Sequence, residues 1–215
     1  MNYIVLDTET TNGFDDSLVY DCGWSVINDK GEVLAERSFV NADIFLGEKE
    51  LMNEAYYADK IPQYEEDLKN KNRILAHFST IRWNLHRDCK NFHIVGIVAH
   101  NAAFDYRALQ TTQRYLTKSK HRWFFPYGVD ILDTLKMSKQ VFGKDEEYKT
   151  FCRENGYTLK NGKTPRFTAE VLYRFLCGDN DFEERHCGLE DTQIEREIFW
   201  ECLRRNPNVE MKLWA

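Results

Sequence analysis

The order of its apolar segments constrains the fold of this 215-residue chain more than any other feature. Three strand-like stretches come first: Tyr3-Ile4-Val5-Leu6, then Leu18 to Ile27, then Glu32 to Val40. Asn28-Asp29-Lys30-Gly31 links the last two closely enough to make an antiparallel hairpin. Helical spacing then runs from about Phe45 to Cys89. Leu51, Ala55 and Tyr56 form one stripe, and Ile74, Leu75, Phe78, Ile81 and Leu85 form a second. Pro62 and the charged stretch Glu65 to Lys71 break the two apart. Phe92 to Ala99 is a buried-strand candidate rich in Ile and Val, helical spacing resumes from Phe104 toward Leu116, and Val129 to Leu132 is a shorter strand. Helices are expected near Thr134 to Phe142, Asp145 to Glu154, Thr168 to Leu176 and Leu189 to Leu203, with Asn161-Gly162 signalling a type I′ turn. Strands that precede and then alternate with helices give an α/β domain with a mixed sheet. No repeat, low-complexity segment or linker divides residues 1–215, so they are read as a single domain.

Hydrophobic residues at 42% and aromatics at 14% suffice for a real core, which excludes a disordered chain. No stretch approaches the roughly 20 apolar residues of a membrane span, and the start carries no signal-peptide pattern. Cys22, Cys89, Cys152, Cys177, Cys187 and Cys202 are scattered without a C-x-x-C pair, which fits reduced thiols in a cytoplasmic protein. A net charge of −6 does not by itself suggest a nucleic-acid partner. Bound divalent cations would reverse the local field, so the placement of the carboxylates matters more than their number.

Three segments place carboxylates at element ends. Asp7 and Glu9, two residues apart at the end of the first strand, can leave the same face. Like charges so close are costly unless one is protonated or a hard cation such as Mg²⁺ or Mn²⁺ lies between them; the alternative is a solvated strand end. In His100-Asn101-Ala102-Ala103-Phe104-Asp105, Asp105 follows a buried strand at a helix start, where it could equally serve as a cap. Asn101 and the two alanines suit a tight turn that permits close approach. In His186-Cys187-Gly188-Leu189-Glu190-Asp191, Gly188 allows His186 to sit on a loop with Asp191 inside the next helix; a surface histidine is the plain alternative.

In this order the three segments resemble the DEDDh, or DnaQ-like, 3′→5′ exonucleases, the family of the polymerase III proofreading subunit, ribonuclease T and oligoribonuclease. The resemblance spans residue 3 to about residue 200. It implies a ribonuclease H-like α/β fold with a mixed five-stranded central sheet whose second strand is antiparallel to the rest. It further implies that Asp7, Glu9 and Asp191 coordinate two divalent cations, Mg²⁺ or Mn²⁺, that Asp105 acts on the second largely through water, and that His186 is the general base. Two cations about 4 Å apart can activate water and stabilise the leaving oxygen of an in-line phosphodiester displacement, and histidine titrates near neutral pH. The implied reaction removes nucleoside 5′-monophosphates from the 3′ end of single-stranded DNA or RNA. Many relatives have Gly directly after the E-T-T run, where this chain has Asn12 before Gly13.

The candidate substrate contacts are Thr10, Phe14, Asn101, Phe104, Lys118, Lys120 and Arg122, with His121 in the same basic run. Lys160, Lys163 and Arg166 decorate the Asn-Gly turn and could follow a strand backbone too. For the basic runs a solvated face is the alternative, and for Phe104 the core. Trp24, Trp83, Trp123 and Trp200 are read as packing residues. The last motif leaves no room for a polymerase-tethering region, and the resemblance admits a homodimer. A catalytically silent nucleic-acid- or protein-binding module on the same fold is the competing reading, but its usual mark, a lost acidic ligand, is absent.

Overall fold

The computed structural model describes residues 1–11, 16–118 and 122–214. Its centre is a six-stranded sheet in the order β4-β3-β2-β1-β5-β6. The strands are β1 (Asn2–Thr10), β2 (Val19–Asn28), β3 (Val33–Asn41), β4 (Ile74–Ala76), β5 (Ile94–Ala99) and β6 (Asp130–Asp133). β2 pairs antiparallel with both β1 and β3, while β1–β5, β5–β6 and β3–β4 are parallel, so β2 alone opposes the other five. This agrees with the expected mixed sheet except in strand number. The added strand is Ile74-Leu75-Ala76, which the apolar spacing assigned to a helix. Ile74 and Leu75 are exposed, at 53% and 41%, and only the stretch from Phe78 onward is helical.

Helices cover both faces. Between β3 and β4 lie α1 (Ala42–Phe45), α2 (Lys49–Asn53), a 3₁₀ turn (Ala58–Lys60) and α3 (Ile61–Lys69). Pro62, expected to interrupt a helix, instead opens α3 at its first turn, where the missing N–H costs no helical bond. Two further helices, α4 (Phe78–Asn91) and α5 (Ala103–Leu116), pack on one face against Ile4, Leu6, Cys22, Trp24 and Val26. On the other face, α6 (Thr134–Val141), α7 (Glu146–Glu154), α8 (Ala169–Cys177) and α9 (Gly188–Arg205) cover Tyr3, Val5, Ile27 and Val98. A third cluster packs α1 to α3 around Tyr20, Val40 and Tyr64.

Two local readings are corrected. Gly162 has φ 66°, but Asn161 is not in the left-handed region, so the turn is not type I′. The Asn161 side chain instead accepts from the N–H groups of Lys163 and Thr164 within a wider loop. Trp24 is buried as expected; Trp83 and Trp123 are more than half exposed. All six cysteines are free. No helix among the described residues is long and apolar enough to cross a membrane.

Candidate functional site

Parallel pairing of β1 with β5 ends at Val5 and Val98, whereas pairing with β2 continues to Thr10. The second half of β1 therefore overhangs a crevice at the C-terminal ends of the parallel strands, where open α/β sheets place their sites. Asp7 and Glu9 lie in this overhang, inside the strand rather than at its end. Since Tyr3 and Val5 face the α9 side, strand alternation turns Asp7 and Glu9 the same way and Thr8 toward α5. Thr8 Oγ1 accordingly donates to Asp105 Oδ1 at 2.8 Å. Asp105, in the first turn of α5, is buried and also receives the backbone N–H groups of Thr8 and of Asp105 itself.

Two glycines bring α9 onto the strand. Gly23 faces Asp7 across the β1–β2 pair, and a Cβ there would stand 2.1 Å from the Leu189 nitrogen. A Cβ on Gly188 would lie 2.8 Å from the Gly23 nitrogen and 3.1 Å from the Asp7 carbonyl oxygen. Backbone thus rests on backbone. The Gly188 N–H donates to Asp21 Oδ2 at 2.9 Å, a carboxylate well suited to a helix N-terminus. Asp21 also accepts from Tyr64 Oη at 2.7 Å and from Arg73 Nη1 at 3.0 Å. Arg73 further pairs with Glu190 at 2.8 Å and Asp67 at 3.2 Å.

This anchoring sets Asp191 beneath β1. Its Oδ2 accepts from Cys187 N at 2.7 Å, while Oδ1 is buried without a partner. His186 is held at φ 51°, in the left-handed region. Its ring stacks on Tyr57, with centroids 4.4 Å apart and planes at 17°. Lys60 bonds the Arg185 carbonyl and lies 5.0 Å from the Tyr57 ring centroid, clasping the loop from the β3–β4 segment. Ligand atoms of Glu9, His186 and Asp191 all fall within 4.8 Å of one another.

A cleft of about 330 Å³, lined by Thr8, Glu9, Thr10, Tyr56, Tyr57, Phe104 and His186, opens beside this cluster. Thr10 and Phe104, expected as substrate contacts, line it. Asn101 is exposed at φ 60°, and its N–H donates to Asp133 Oδ1 at 3.1 Å, so its visible role is to shape the turn before Asp105. Lys118 and Arg122 are exposed beyond the C-terminal end of α5 and are not among the residues that line the cleft. Phe14 and Lys120 lie outside the described residues. Sequence reasoning did not mark Tyr57 and Lys60 as site residues, and it placed Tyr56 in an apolar helical stripe, whereas Tyr56 lies in a turn and is 80% exposed. It also missed Glu184 and Glu195, which look like surface carboxylates until the chain is folded.

The carboxylates raise one another's proton affinity. Burial is the largest influence in each case. It drives Glu9 up to about 9, helped by Asp21 and Asp191 and opposed by Lys60. Asp105 and Asp191 are pushed up to about 7 despite hydrogen bonds from Thr8 and Cys187, and Glu184 reaches about 7 beside Asp191. Asp7 and Glu195 are driven well above the usual carboxylate range, Asp7 chiefly by burial and then by Glu195. Burial and the Lys60 ammonium lower His186, which favours the free base of its ring. A hard divalent cation fits this donor set: crowded carboxylates, one imidazole and an orphaned buried oxygen on Asp191.

The sign of the pH dependence follows. Folding raises these carboxyl pKa values, so the folded state binds more protons, and the stability they contribute is lost as pH rises through about 7 toward about 9. In EDTA the protein is expected to melt at a higher temperature near pH 5 than near pH 8, and Mn²⁺ to raise the melting temperature most near pH 8. Equal melting temperatures in EDTA at the two pH values would contradict this electrostatic account.

The fold is the ribonuclease H-like α/β fold, shared with solved structures of exonucleases. A structure of E. coli exonuclease I with a dT13 oligonucleotide aligns over 96% of this chain and 42% of its own, with TM-score 0.60 and 11% identity. A 3′-exonuclease described as recognising the 3′ end of a histone mRNA stem-loop aligns over 100% of this chain and 68% of its own, with TM-score 0.60 and 10% identity. Exonuclease X with a 5′-overhanging duplex DNA aligns over 95% and 93%, with TM-score 0.51 and 13% identity. This chain thus spans less than half the length of exonuclease I. No protein-family model matches the chain, and no curated protein does.

Proposed function

We propose that this chain is a metal-dependent 3′→5′ exonuclease that hydrolyses single-stranded DNA or RNA from its 3′ end and releases nucleoside 5′-monophosphates. The observation that carries this reading is the convergence of Glu9, His186 and Asp191 within 4.8 Å at a cleft, beside the overhanging half of β1 that also carries Asp7 and the Thr8–Asp105 pair. Asp7, Glu9 and Asp191 would hold two divalent cations, Mg²⁺ or Mn²⁺, with Asp105 supporting the second from across the strand. When bound, such cations polarise the scissile phosphate and favour ionisation of the attacking water. His186 accepts the proton of that water, and the Tyr57 stack with the Lys60–Arg185 clasp fixes the ring in place for the transfer. Phe104 and the exposed Tyr56 ring flank the space in which a terminal nucleotide would sit, and aromatic faces accept any base.

The test is a 5′-labelled single strand of DNA and one of RNA, each incubated with Mg²⁺, Mn²⁺ or EDTA. A ladder shortening one nucleotide at a time from the 3′ end is expected with metal, and intact strand in EDTA. Intact strands of both kinds in the presence of metal would overturn the proposal. Unequal rates on the two would assign the substrate.

A further inference from the structure

Glu195 stands one helical turn beyond Asp191 on α9, in the crevice that opens where β1 and β5 part. It is 3% exposed. Oε1 accepts the backbone N–H of His100, the first residue after β5, at 3.0 Å. Oε2 is buried and has no partner. Among charged groups, Glu195 acts more strongly on Asp7 than Asp105, Glu9 or Asp191 does, and Asp105 is the charge that acts most strongly on Glu195. A buried acceptor left unpaired among other carboxylates is costly, so an oxygen in this setting needs either a proton or a cation. An orphaned oxygen with no donor, on a side chain that acts on Asp7 and is acted on by Asp105, favours the cation.

Resting on the exonuclease reading above, we propose that Glu195 is a fifth carboxylate of the metal centre, its Oε2 serving the cation next to Asp7 and Asp105 while Oε1 anchors the turn that carries Asp105. The ligand is a hard divalent cation, and the residue ties it to the backbone of the second motif. A carboxylate that binds no ion would act only as a backbone acceptor, a role glutamine fills equally well.

The experiment is a Mn²⁺ titration without nucleic acid, followed by calorimetry and by the electron paramagnetic resonance of free Mn²⁺, on the parent chain, E195Q and E195A. Glutamine keeps the bond to His100 N, so metal-free E195Q is expected to melt at or above the parent temperature. It is also expected to lose one Mn²⁺ equivalent or to bind it roughly 10–100-fold more weakly. E195A removes the anchor as well; it should show the same Mn²⁺ loss with a lower metal-free melting temperature. If the parent binds Mn²⁺ and E195Q binds it equally well, Glu195 is a protonated anchor and this inference fails alone. If the parent binds no Mn²⁺, the exonuclease reading falls with it.

Discussion

H186A is expected to lower kcat on a labelled single strand by about 10²–10⁴-fold, the usual contribution of a positioned general base, with Mn²⁺ affinity close to that of the parent chain. The two readouts are needed together because the imidazole lies within 4.8 Å of ligand atoms on both Glu9 and Asp191. That position serves a base acting on water held between the carboxylates, and it would equally serve a nitrogen ligand. A parallel fall in Mn²⁺ affinity would make His186 a ligand instead. An unchanged rate would remove it from the mechanism. Burial and the Lys60 ammonium both shift His186 toward the free imidazole that a base requires.

R73A is expected to destabilise the fold by about 3–5 kcal/mol, because it strips a buried anion of its counter-ion. Arg73 is 2% exposed at its side chain and Asp21 is 0% exposed, 3.0 Å away. Without the guanidinium, Asp21 keeps its bonds from Tyr64 and Gly188 but carries an uncompensated charge against the N-terminus of α9. For a chain of this size the loss corresponds to a melting temperature lower by roughly 10 °C. Thermal denaturation in EDTA measures it without interference from metal. The double variant R73A/D21N should lie nearer the parent than the sum of its singles, since the two residues share one interaction. A melting temperature unmoved by R73A would show that the network contributes nothing net.

The sheet was legible in the sequence wherever a strand is long and buried. Leu18 to Ile27 and Phe92 to Ala99 foretold β2 and β5 because nearly all their residues are buried and apolar side chains dominate both. β4 was hidden for the converse reason: three partly exposed edge residues stand at helical spacing from Phe78 and Ile81, so the local pattern fits the wrong period. At the site, the two-residue spacing of Asp7 and Glu9 foretold their common face, and Gly188 foretold the passage from the His186 loop into α9. Nothing local announces that Glu195 is buried. At i+4 from Asp191 it reads as the polar stripe of an amphipathic helix, and its environment is supplied by His100 and Asp7 from distant parts of the chain. Tyr57 and Lys60 escaped notice for a related reason, since their contact with residues 185 and 186 bridges 125 positions or more of sequence.

The crossing of Gly23 with Gly188 bears on how freely the rest of the molecule can vary. Most helix-on-sheet contacts pass through side chains, so each exchange in the core shifts the spacing a little. Here Gly188 and Leu189 at the N-terminus of α9 meet Gly23 and Asp7 main chain to main chain, so peptide groups set how closely the helix approaches the strand that carries Asp7. Leucines and phenylalanines elsewhere can be exchanged, altering how firmly the layers adhere without changing how far apart the reactive groups lie. Drift in sequence is thereby uncoupled from drift in site geometry, on condition that these two positions stay without a side chain.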